Sequence, residues 1–320
     1  MNTRYRLLDT LRGLAVAGIL LVNACDITRV GENHIADGPP SGRTVLDLAV
    51  QSRFVPLFAM LFGVTMVLMV GSARRDGRHP APALLLRMVV LGGIGVVHAL
   101  FYSGDILREY AIVGLVMIPF AIWVSPVVSL TTGVIATAIS FGFLSGAAES
   151  VPGLMLIGIG SAGLGVPAIL DRGSPAVRLA LAVAIPVALL ALWMQLRAPG
   201  DPRFAVEGAR AGLAMAIVYL LVTALMWQRP GVRQMMIASF EPLGRTALSC
   251  YVSASVVFAA LACVVDFREM HSVWPILGCV AAILVAQCVI ARIWLSHFTQ
   301  GPLEWVLRAA TWRRVPQLVR

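Results

Sequence analysis

The chain has 320 residues, of which 59% are hydrophobic and only 13% charged, with a mean hydropathy of +0.86. Its apolar runs repeatedly reach the roughly 20 residues that span a bilayer, which excludes an ordinary soluble domain. The formal net charge is +9, all 25 basic residues are Arg, and no basic run exceeds a pair, so nucleic acid is excluded as a partner.

Apolar length predicts spans at about 8–27, 45–72, 83–103, 105–125, 127–147, 151–170, 176–196, 206–227, 246–266 and 273–296. The expectation is an all-α integral membrane bundle of about ten transmembrane helices. The first span is read as a retained helix: Arg4 and Arg6 precede it, but Asp9 and Arg12 interrupt its start and no cleavage site follows. Arginines gather at the N-terminus, in the 73–82, 171–178 and 228–245 segments, and in the tail at Arg308, Arg313, Arg314 and Arg320. All fall on one side, which the positive-inside rule makes cytoplasmic, with both termini there. Gly158, Gly160, Gly163 and Gly165 suit close helix packing in the sixth span. The tail from Gly301 to Arg314 reads as an amphipathic helix on the inner leaflet. Three parts follow: 1–125 with the polar residues, 126–240 with plain apolar spans, and 241–320 with the last spans and the tail.

Ionisable groups inside a membrane are costly and mark function or a buried pair. Asn23, Asp26, Arg53, His98, Asp105, Arg108 and Glu109 cluster at the outer ends of the first four spans, and the 28–43 loop with His34 lies over them. Spans three and four form a hairpin turning at Ser103-Gly104, which brings His98 to Asp105 or Glu109. Arg53, two turns into its span, needs one of these carboxylates. Asp26, one turn beyond Asn23, is placed to orient an imidazole. Each group also has a plain structural reading: Asp9 and Arg12 form an i,i+3 salt bridge, His98 is a packed hydrogen-bonding residue, and His34 is a solvated loop residue. The five cysteines lack CxxC spacing and read as small core residues. No metal-ligand spacing, P-loop, dinucleotide fingerprint or GxSxG elbow occurs.

Several signatures occur in order along the chain. They are Leu8-Asp9-Thr10-Leu11-Arg12-Gly13-Leu14-Ala15 with Gly18-Ile19-Leu20-Leu21-Val22-Asn23, and Arg53-Phe54 before Leu57-Phe58-Ala59-Met60-Leu61-Phe62-Gly63. Gly95-Val96-Val97-His98-Ala99-Leu100 with Ser103-Gly104-Asp105-Ile106-Leu107 comes next. Gly244-Arg245-Thr246-Ala247-Leu248-Ser249-Cys250-Tyr251 and Gly301-Pro302-Leu303-Glu304-Trp305 close the chain. In these residues the sequence resembles the YeiB family of polytopic membrane proteins. That family is grouped with transmembrane acyltransferases, heparan-α-glucosaminide N-acetyltransferase among them. The run from Asp9 through Asn23 to His34 is similar to that enzyme without a gap, and the resemblance implies active-site roles for Asn23 and His34.

Acyl transfer from a thioester needs a base or nucleophile and a donor to the developing oxyanion. The expectation is a transmembrane acyltransferase in a bacterial cytoplasmic membrane, using acyl-CoA (acetyl-CoA among the donors) as co-substrate without a metal. His34, Asn23, His98 and Asp105 are the expected catalytic residues; Arg12, Arg87 and Arg53 are expected to hold the CoA phosphates. The partners expected are a sugar or small-molecule acceptor with a hydroxyl or amine, membrane lipids, and a second copy of the chain as a homodimer. A proton-coupled transporter is the alternative, although no repeat of the halves is visible. A non-catalytic membrane partner or sensor is the third reading.

Overall fold

The computed structural model describes residues 5–144, 146, 148–198, 201, 203–312 and 317–318, with the backbone alone at 35–37. Arg4, Arg313, Arg314 and Arg320, used above to orient the chain, lie outside the described residues. The helices are α1 (Arg6–Thr28), α2 (Arg43–Ala49), α3 (Phe54–Arg75), α4 (Pro80–His98), α5 (Leu107–Ile122), α6 (Pro126–Phe143), α7 (Val151–Gly163) and α8 (Val166–Arg172). They continue with α9 (Pro175–Arg197), α10 (Val206–Trp227), α11 (Pro230–Ser239), α12 (Glu241–Arg245), α13 (Ala247–Ala262), α14 (Trp274–His297) and α15 (Pro302–Trp312). Proline opens α4, α6, α9, α11 and α15, where its missing N–H costs no helical bond.

Among the described residues, seven helices are long and apolar enough to cross a membrane, or up to eight counting one bent pair. The expected ten is thus too many by that measure. The fourth and ninth predicted spans become α5 and α13, each of 16 residues, or about 24 Å against a hydrocarbon core of about 30 Å. The sixth breaks by 70° between Gly163 and Val166, where Gly165 takes a φ of 78°. The second begins as α2 and turns at residues 50–53, with Ser52 at φ 62°, before α3 starts.

α1 is the central helix, with Leu7, Leu11, Ala15 and Ala24 fully buried, whereas α9 and α14 turn Leu, Val, Ile and Trp side chains outward, as lipid-facing helices do. Two glycine contacts set the closest approaches. A Cβ on Gly244 of α12 would overlap the Asp9 carbonyl of α1, and one on Gly158 of α7 would overlap the Met60 carbonyl of α3. One core cluster runs from Leu7 to Leu307 and joins the first and last parts of the chain.

The expected tail helix forms as α15, and its buried face packs on α4 and α13. Glu304 accepts from the backbone N–H of Leu248 (2.6 Å) and Ser249 (3.1 Å) and from the Ser249 hydroxyl (2.6 Å). A carboxylate there satisfies the orphan donors of α13 and opposes its dipole. Glu304→Gln is expected to lower stability by about 1 kcal/mol, read as a reduced melting temperature in detergent; an unchanged value would remove this cap from the account.

Candidate functional site

The hairpin between α4 and α5 does what its sequence implies. His98 Nδ1 lies 2.7 Å from Asp105 Oδ1, with both side chains fully buried. Asp105 Oδ2 accepts the Arg108 backbone N–H (3.2 Å), which caps the start of α5, and the Arg108 side chain lies 3.8 Å away. An ionised Asp105 takes its hydrogen bond from Nδ1–H, which leaves Nε2 as the bare, basic nitrogen of a neutral imidazole; this tautomer follows from the partner. Among the described residues His98 Nε2 has no hydrogen-bond partner although it is buried. Tyr251 completes the group: its ring centroid is 4.9 Å from that of His98, and its hydroxyl is 3.5 Å from Asp105 Oδ1. The Asn23 side chain approaches the same hydroxyl.

Two cavities flank this cluster. One, of about 160 Å³, is lined by Arg12, Arg87, Arg245 and Glu304 at the arginine-rich end, and by Tyr251 and apolar side chains deeper in. The other, of about 210 Å³, belongs to the opposite end and is lined by Asn23, Gln51, Ser52, Glu109 and Ser150. Ile19, Ile106 and Tyr110 line both. Arg12 bonds Asp9 (3.1 Å) and Thr65 (3.0 Å), so the i,i+3 pair forms. Arg87 has no hydrogen bond or ion pair among the described residues.

Three expected placements differ. Among the described residues Arg53 meets no carboxylate: its guanidinium donates to the Gln51 carbonyl and to Gln195 Oε1 of α9 (2.7 Å), and Gln195 in turn donates to the Asp47 carbonyl (3.0 Å). Fully buried, Arg53 braces the 50–53 turn that walls the second cavity. Asp26 orients no imidazole, because Arg203 takes it at 2.8 Å and also binds Asp201. Burial alone would raise the Asp201 carboxyl, but the Arg203 hydrogen bonds outweigh it and hold the group below its ordinary value. His34 lines neither cavity.

His34 instead joins two loops at the end opposite the arginine-rich one. Its Nε2 is 3.2 Å from Glu269 and its ring is 3.8 Å from that of His271. Asn33 donates to the same carboxylate, and Gly31 N–H reaches the Phe267 carbonyl (3.3 Å). The Asn33 amide, with His34 behind it, holds Glu269 below its ordinary 4.5. A depressed carboxyl stabilises above its unfolded value and loses that contribution as pH falls through the lowered one. Amide exchange over residues 31–34, corrected for intrinsic rate, is therefore expected to rise below about pH 4.5. Glu269→Gln should flatten that rise; an identical profile would detach the carboxylate from the loop's order.

Residues 170–314 match the family described as "Protein of unknown function (DUF418)". An uncharacterized 39.9 kDa protein from the amylase 3′ region of Bacillus acidopullulyticus is 27% identical over 98% of this chain and 95% of its own length. The uncharacterized YxaH of Bacillus subtilis is 25% identical over 97% and 95%. YeiB of Escherichia coli is 33% identical over 34% of this chain and 29% of its own. The chain is YeiB-like. No solved structure matches it. In this YeiB-like chain the residue that sequence reasoning gave no role is Tyr251. The signal was present, since Tyr251 ends the run from Gly244, but nothing local shows that the run reaches His98.

Proposed function

We propose that this YeiB-like protein is a membrane-embedded acyltransferase. It moves an acyl group, acetyl among them, from acyl-CoA at the arginine-rich end to a hydroxyl or amine of a sugar or small-molecule acceptor. The single observation that carries the reading is the buried Asp105–His98 pair with a bare Nε2, set between two end-facing cavities. The acceptor X–H attacks the thioester carbonyl while Nε2 takes its proton; the C–S bond breaks, and the thiolate leaves to be reprotonated by the imidazolium. Asn23 supplies an amide donor for the oxyanion. Arg87, which makes no hydrogen bond or ion pair among the described residues, and Arg12 are suited to the CoA phosphates, and the apolar wall to the pantetheine and acyl arm. His98 itself lines neither cavity; Tyr251, in ring contact with it, is the member of the cluster that reaches the donor cavity.

The arginine-rich end is assigned to the cytoplasm. Arg74, Arg75, Arg78, Arg172, Arg178, Arg229, Arg233, Arg245 and Arg308 gather there in short segments next to the spans, the arrangement the positive-inside rule counts. With bacterial relatives, this supports a bacterial cytoplasmic membrane. The test is acetyl-CoA binding and CoA release by the protein in nanodiscs across a panel of amines and alcohols. Saturable binding with release, lost in His98→Ala and given a higher KM by Arg87→Leu, is expected. No binding of acetyl-CoA or longer acyl-CoAs overturns the reading. A proton-coupled carrier then takes its place, since two cavities parted by a thin wall also suit alternating access; proton uptake by proteoliposomes reads it.

A further inference from the structure

The two cavities approach each other from opposite ends of the bundle and share three lining residues: Ile19 of α1, Ile106 just before α5, and Tyr110 of α5. Tyr110 is held firmly. Its side chain is almost fully buried, its hydroxyl donates to the Val55 carbonyl at 3.1 Å, and Phe58 and Phe62 meet its ring edge-on at 5.6 Å. A ring fixed by two aromatic neighbours and a hydrogen bond is a wall rather than a mobile side chain. Ile19 sits in the main core and is almost fully buried, so it cannot swing aside without opening a void.

Tyr251, the part of the polar cluster that faces the first cavity, shares its lining with this wall. An acyl chain whose carbonyl lies beside Tyr251 therefore runs into Ile19, Ile106 and Tyr110 after a few carbons. We infer that these three side chains form a septum that limits acyl length and keeps the cavity at the arginine-rich end from joining the one at the other end. The inference rests on the acyltransferase reading for its substrate, while the septum itself stands on the cavity geometry. Isoleucine at two of the three positions makes it adjustable, because shortening either side chain frees room for about three carbons without touching a polar group.

The test compares CoA release from acetyl-, butyryl-, hexanoyl- and octanoyl-CoA by the wild type, Ile19→Ala, Ile106→Ala and Leu221→Ala. Leu221 of α10 is buried in the same core, lines neither cavity and controls for general loosening. The wild type is expected to favour the short donors, and Ile106→Ala to raise the octanoyl-to-acetyl ratio roughly tenfold with Leu221→Ala unchanged. An unaltered ratio in folded Ile19→Ala and Ile106→Ala proteins, or an equal change in Leu221→Ala, overturns the length limit. If the wild type releases CoA from no donor, the acyltransferase reading fails. The septum is then read alone, from small-dye efflux out of proteoliposomes carrying the Ile19→Ala/Ile106→Ala/Tyr110→Ala protein. Faster efflux than wild type supports the barrier, and equal efflux overturns it.

Discussion

Replacing Gly244 by alanine is expected to cost about 4 kcal/mol or more, enough to leave little folded protein after detergent extraction. Most small-to-large changes cost about 1–3 kcal/mol because a flexible side chain yields. Here the added carbon would meet the Asp9 carbonyl, with the Gly13 backbone nitrogen just behind it at 2.8 Å. Both are backbone of α1, so relief requires moving a whole helix. α1 cannot retreat, since its other faces are packed against α3, α13 and α14. The reverse face of the contact gives a control: a Cβ on Gly13 would overlap the Phe240 carbonyl, so Gly13→Ala should fail in the same way. Gly93 of α4 has nothing within 4 Å of such a carbon, and Gly93→Ala should fold normally. Size-exclusion profiles of the three variants decide it; a sharp wild-type-like peak for Gly244→Ala would show that the α1–α12 contact is looser than described.

Asp105→Asn is expected to reduce CoA release by roughly 10³-fold while leaving the protein folded. The amide keeps the shape of the carboxylate and still accepts from the Arg108 backbone N–H. It cannot supply the negative charge that stabilises an imidazolium, and its NH₂ drives His98 toward the tautomer with the proton on Nε2. A base whose lone pair has been turned toward the introduced amide is no base for the acceptor. The loss should fall on kcat, with KM for acetyl-CoA held by the distant Arg12 and Arg87. Equal loss in KM alone would mean that the pair only shapes the donor cavity. Tyr251→Phe separates the neighbours: it removes a long 3.5 Å hydrogen bond to Asp105 and should cost far less than the carboxylate change.

Contacts made within one hairpin were legible in the sequence, and contacts made between distant helices were not. His98 and Asp105 stand seven residues apart on either side of a tight turn, so the chain's own geometry brings them together. The same holds for Asp9 and Arg12, one helical turn apart. Arg53 and Asp26 were recognisable as buried charges in need of partners, but the partners, Gln195 and Arg203, lie 142 and 177 residues away. Periodicity carries no information about which distant segment brings a polar side chain inward. The span count differs for a related reason: apolar length is a property of composition, whereas the stops that hold α5 and α13 to 16 residues and the bend at Gly165 are decisions of the backbone. The cavities were invisible altogether, since they are made of gaps between helices.

On α1, Arg12 and Val16 line the first cavity, Ile19 lines both, and Asn23 lines the second. These positions fall at i, i+4, i+7 and i+11, a single stripe about 16 Å long. One rigid rod therefore carries the mouth of one chamber, the divide and the entrance to the other. Any insertion or deletion of one residue between 12 and 23 would turn everything beyond it through about 100° and dislocate the whole route at once. The loop from 29 to 42 carries no such phase; its order comes from contacts with residues 267–273 instead. The helix is, in effect, the molecule's reading frame.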